Sequence, residues 1–194
     1  MSRTQKLAAV ALLAATAYAL GYVESLIVLP TTIPGVKLGL GNICVLLALY
    51  LIDARAACAV MLLKVALSGL LFGSPATLLY SAAGALLAFG GMWLLKAWGA
   101  LNVVAVSVVA AVLHNLAQVL TAVVLLQTPA IALNLPMLTI IACITGIATG
   151  TVASRVISAL RIHQATATRK EGSKGTKRRS RCERYPDKTR KEFL

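Results

Sequence analysis

Six apolar runs dominate this chain, each close to the length that crosses a bilayer. They cover residues 7–29, 36–52, 56–72, 76–95, 103–126 and 131–157. A helix needs about 20 apolar residues to span about 30 Å of hydrocarbon. Only helices and closed barrels can satisfy their backbone groups there. Between the runs stand polar residues and helix breakers, among them Pro30, Pro34, Gly35, Asp53, Arg55, Gly73, Pro75 and Pro129. The pattern predicts an all-α, polytopic membrane protein, a bundle of about six transmembrane helices.

Composition agrees. Hydrophobic residues make up 59% of the 194 and charged residues 13%, with a mean hydropathy of +0.84. Soluble domains carry about 45–50% apolar and about 25% charged residues. A soluble core of this size cannot bury so much apolar sequence. The net charge of +13 is uneven, since twelve of the 19 Lys and Arg residues lie at or beyond Arg161. The expected division is a transmembrane domain over residues 1–160 and a basic cytoplasmic tail over 161–194. The tail is poor in apolar residues and its composition reads as disordered. It suits anionic lipid. Without interleaved aromatics, no nucleic-acid partner is expected.

The first run follows Arg3 and Lys6 and contains Ala17-Tyr18-Ala19, which looks like a signal-cleavage site. The run exceeds the roughly 7–15 residues of a signal core, and more membrane sequence follows it. It reads as a retained span. Arg3 and Lys6, Arg55, Lys96, Arg155 and the tail fall on alternate connections. Positive residues mark the cytoplasmic face, so both termini are expected in the cytoplasm of a bacterial inner membrane.

An ionisable group deep in a membrane costs at least about 2.5–3.5 kcal/mol on insertion scales and is tolerated chiefly inside a bundle with partners. Glu24, Lys37, Asn42, Lys64, His114, Asn115 and Gln118 meet that description. They share the outer half of the predicted spans, where a cavity open to the outside would lie. Each also has a structural reading. Lys37 can snorkel to the interface, Glu24 and Lys64 can form an ion pair, and His114, Asn115 and Gln118 can serve as interhelical glue. Ala11, Ala15 and Ala19 recur every four residues on the first span; Ala142, Gly146, Gly150 and Ser154 do so on the sixth. Such stripes let helices approach closely, within the chain or against a membrane partner.

There is no phosphate-binding Walker sequence. Glu24 and Asp53 are the only acids before the tail, and they fall at opposite membrane faces. Clustered carboxylates holding magnesium on a diphosphate are therefore not expected. Cys44, Cys58, Cys143 and Cys182 show no metal or disulfide spacing, and no metal or cofactor is expected.

The segment Glu24-Ser25-Leu26, then Pro34-Gly35-Val36-Lys37-Leu38-Gly39-Leu40-Gly41-Asn42-Ile43, is distinctive, as is His114-Asn115 with Gln118. Together they resemble the bacterial family labelled both Gx transporter and heptaprenyl diphosphate synthase component I, over roughly residues 7–158. That family is similar to the substrate-binding S components of energy-coupling factor transporters. The resemblance implies a six-helix subunit that binds a small, vitamin-like solute from outside, and Lys37 and Lys64 point to an anionic group on that solute. It also implies docking through Ala11, Ala15 and Ala19 onto a transmembrane coupling protein driven by ATPases. Glu24, Lys37, Asn42, His114, Asn115 and Gln118 match family motif positions, whereas Lys64 stands where relatives are expected to carry Arg. Pro34, Gly35 and Gly39 would form the lid and allow close backbone approach. The expected function is a solute-binding subunit with no catalytic site of its own. The alternatives are a non-catalytic membrane subunit of heptaprenyl diphosphate synthase and a proton-coupled carrier using Glu24 and His114.

Overall fold

The computed structural model describes residues 2–26, 39–72, 75–99 and 101–184; for residues 25, 70–72, 77 and 163–184 it describes the backbone only. The described residues are helical, with no strand among them. The elements are α1 (Arg3–Ser25), α2 (Asn42–Leu51), α3 (Ala54–Phe72), α4 (Pro75–Trp98), α5 (Val103–Leu126), a 3-10 turn (Pro129–Asn134) and α6 (Leu135–Arg184). Four stretches are long and apolar enough to cross a membrane: Arg3–Glu24, Leu78–Trp98, Val103–Leu126 and Pro129–Ile162. The fold is an all-α bundle of the kind a multi-pass membrane protein needs.

Local chemistry sets the helix starts. Ser2 and Gln5 form a reciprocal capping box that opens α1. Asp53 accepts from the Ala56 amide at 2.7 Å and opens α3. Asn102 accepts from the Ala105 amide at 2.8 Å and opens α5. In each case a short polar side chain takes an amide that the first turn leaves unbonded.

The described helix α2 is only 10 residues. At 1.5 Å per residue it covers roughly half the hydrocarbon thickness. The expected second span, 36–52, is thus helical from Asn42 within the described residues. Gly39, at φ 85°, holds a conformation that no right-handed helix contains.

α2 is the centre of the bundle. Cys44, Val45, Leu46, Ala48 and Leu49 are buried among Ala17 of α1, Ala57, Val60 and Met61 of α3, Ala85, Ala88 and Met92 of α4, and Val106 and Ala110 of α5. A second cluster joins Tyr80, Val119, Ala122, Ile131 and Leu138. α5 and α6 approach to backbone contact: a β-carbon on Gly146 would stand 2.7 Å from Val108 Cα, and one on Gly150 2.9 Å from Val104 Cα. The Ala142, Gly146 and Gly150 stripe is buried and faces this contact. The Ala11, Ala15 and Ala19 stripe of α1 is exposed, while Ala14 and Ala17 of the same helix face inward.

The chain divides into two compact units, Met1–Arg155 and Val156–Leu194. In the second, α6 stays helical to Arg184, although the composition from Gln164 onward reads as disordered. Residues 164–184 hold no proline and are rich in Lys and Arg, which a helix tolerates well.

Basic residues collect at one end of the first unit. Lys6 at the start of α1 donates to Asp53, between α2 and α3. Lys96 at the end of α4 donates to the Leu49 carbonyl near the end of α2 and lies 5.1 Å from the centre of the Tyr50 ring. The cation thereby satisfies a helix-terminal carbonyl and meets the negative end of the α2 dipole. Trp93 and Trp98 are exposed toward the same end of α4, as interfacial tryptophans are.

Candidate functional site

The polar residues of the apolar runs meet around Gly39, Gly41 and Asn42, where the chain enters α2. Glu24, one residue from the end of α1, is 4% exposed and accepts from the Gly39 amide. Lys64, midway along α3, is 7% exposed and donates to Asn42 Oδ1 at 2.7 Å. Glu24 and Lys64 are thus connected through one short turn of backbone. Burying either ion alone costs several kcal/mol. Hydrogen bonds to the carboxylate and the ammonium offset part of that cost.

Glycine makes room for this arrangement. A β-carbon at Gly39 would lie 2.9 Å from Asn42 Nδ2 and 3.2 Å from the His114 ring. One at Gly41 would lie 2.8 Å from the Ala17 carbonyl oxygen and 3.0 Å from Lys64 Cε. One at Gly84 of α4 would lie 2.8 Å from His114 Nδ1. Three glycines from two regions of the chain therefore let Lys64 and His114 reach the same turn.

α5 supplies the remaining wall. Ser107, His114, Asn115 and Gln118 are all buried. His114 Nε2 and the Gln118 amide nitrogen are 3.1 Å apart, one helical turn along the same face. Asn115 turns away from this face and donates to the Leu138 carbonyl of α6 at 3.0 Å. Ser107 also turns to α6, 3.1 Å from the Thr149 hydroxyl. Two further polar atoms, Asn42 Nδ2 and Asn115 Oδ1, are buried with no hydrogen-bond partner among the described residues.

The structure therefore gathers Glu24, Asn42, Lys64, His114 and Gln118, with Gly39, into one buried cluster, and places Asn115 on the α5–α6 contact. Lys37, Pro34 and Gly35 lie outside the described residues. Ala11, Ala15 and Ala19 are exposed on the outer side of α1. Beside the cluster is a cavity of about 10 Å³ lined by residues that include Gly39, Asn42, Met92, Ser107 and Thr149. That is room for about one water. The cluster as described is closed, with its polar groups turned on one another.

Gly84 has no signal in the sequence, and Gly41 stands out only as part of the distinctive segment before Asn42. Glycine is frequent in membrane helices, and nothing in the sequence says which glycine a histidine or lysine from another helix will rest on. Among the described residues no three His, Cys, Asp or Glu side chains approach closely enough to hold a metal. Cys44, Cys58 and Cys143 are free thiols.

Long apolar helices around a sealed charged cluster define a multi-pass helical membrane protein with its ionisable groups inside the bundle. The chain belongs to the family described as heptaprenyl diphosphate synthase component I, whose model matches residues 13–156. No curated protein matches the chain, and no solved structure does.

Proposed function

We propose that this protein is a non-catalytic, membrane-embedded subunit of a heptaprenyl diphosphate synthase. Membership of that family across residues 13–156 carries the reading. The chemistry of the acids supports the non-catalytic part. Prenyl transfer needs carboxylates placed together to hold magnesium on a diphosphate. Glu24 is committed to the Gly39 amide inside the bundle and Asp53 to Lys6 at the basic end. In this reading a partner enzyme supplies the transfer chemistry. The membrane subunit holds that partner at the bilayer, where a long prenyl chain partitions. The basic end of the bundle faces the cytoplasm and meets the partner there.

A second reading, a solute-binding subunit of a transport system, is favoured by one observation: the buried Glu24, Asn42, Lys64 and His114 cluster. Lys64 would hold an anionic group, and Asn42 Nδ2 would donate to it. The exposed Ala11, Ala15 and Ala19 face of α1 would dock a transmembrane coupling protein driven by ATPases.

Purification from native membranes in mild detergent, followed by native mass spectrometry and a prenyl-transfer assay, separates the two. The synthase reading expects a co-purifying soluble enzyme whose long-chain product falls at least about tenfold when this subunit is removed. A protein free of any such enzyme, carrying a small anion that Lys64→Ala loses, overturns it in favour of solute binding.

A further inference from the structure

A groove of about 360 Å³ opens between α1 and α3 at the basic end of the bundle, away from the buried cluster. Arg3, Lys6, Leu7 and Val10 of α1 line one side; Asp53, Arg55, Ala56 and Ala59, in and just before α3, line the other. The α1 residues repeat at three, four and seven positions, which is one face of a helix. Ala56 and Ala59 are small, and their size leaves the groove open.

The groove has a charged mouth and an apolar floor. Lys6 is committed to Asp53. Arg3 and Arg55 are exposed and have no ion pair among the described residues. Two guanidinium groups therefore flank the mouth with a surplus of positive charge. Leu7, 71% exposed, and Val10 continue the floor along α1 toward the apolar body of the bundle.

We propose that this groove is a binding site for one anionic phospholipid. The phosphate is held between Arg3 and Arg55, and an acyl chain lies along Leu7, Val10, Ala56 and Ala59. Charge and polarity select this occupant. Guanidinium groups bind phosphate oxygens in pairs of parallel hydrogen bonds. An apolar floor leading from a cationic mouth fits a molecule with an anionic head and a hydrocarbon tail, and gives a free phosphate nothing to hold. The site depends on neither functional reading.

The test is native mass spectrometry of the full chain, delipidated in detergent and titrated with dioleoyl phosphatidylglycerol, dioleoyl phosphatidylcholine or inorganic phosphate. One phosphatidylglycerol is expected to remain bound, with several-fold preference over phosphatidylcholine. Replacing both Arg3→Gln and Arg55→Gln should lower its retention by roughly tenfold or more. Ala59→Leu fills the floor with the charge intact and should also lower retention. Arg155→Gln removes an exposed charge outside the groove and should not. Size-exclusion profiles confirm that each variant is folded. The proposal is overturned by unchanged retention in the double variant or in Ala59→Leu. Equal loss in Arg155→Gln overturns it too, as does displacement of the lipid by inorganic phosphate.

Discussion

Lys64 and Asp53 show how one chain handles charge in two solvents. Lys64 lies within an apolar run, and its ammonium is turned inward onto Asn42. Asp53 lies at the bundle end, where the Lys6 ammonium, helped by the Ala56 amide, holds its carboxyl below the ordinary value of 3.8. A carboxyl whose value is depressed in the folded state contributes stability that is present above its unfolded value. That contribution is lost as pH falls through the lower, folded value. The pair is over a third exposed, so the effect is modest. Thermal unfolding in detergent should accordingly show a small drop in stability below about pH 4 that shrinks in Asp53→Asn. An equally steep drop in the variant would assign it to other acids.

α2 and the α5–α6 pair carry the element-scale lesson. α2 is short and central, and its neighbours bury most of its side chains. α5 and α6 touch through Gly146, where Val108 backbone leaves no room for a side chain. Gly146→Val should destabilise the bundle by about 1–3 kcal/mol through overpacking. Gly90, with open space around it, provides the contrast. Gly90→Ala should be neutral or gain about 0.5–1 kcal/mol, because alanine restricts the unfolded chain and favours helix. Thermal or denaturant unfolding of both variants in one detergent checks the pair. Equal effects would mean that the helices are not in backbone contact at Gly146.

At the scale of the whole molecule, the basic side chains at the connections order the bundle. Lys6, Arg55 and Lys96 gather at one end of the first unit, and the Gly39 turn lies toward the other. With that end in the cytoplasm, Trp98 and Gln127 fall on opposite sides of the membrane. In a chain freed of native cysteines, Gln127→Cys should react with a membrane-impermeant maleimide in intact cells. Trp98→Cys should react only after the membrane is opened. The reverse pattern would invert the topology and move the Arg3 and Arg55 groove to the outer leaflet.

Much of this architecture was legible in residue order. Apolar runs of bilayer length require helices, because the hydrocarbon supplies no hydrogen bonds to the backbone. Buried charge requires partners, so Glu24, Asn42, Lys64, His114 and Gln118 stood out by type alone. Chemistry of this kind is local and needs no neighbour to be named. Partner choice is not local. That Asn42 takes Lys64, that Asn115 serves α6, and that Gly84 seats His114 are decided by helix packing across distant parts of the chain. The same holds for the short, enclosed α2 and for the groove between α1 and α3. A sequence states which groups must be hidden or satisfied. Only the tertiary structure, by setting which helix faces meet, decides which groups satisfy one another.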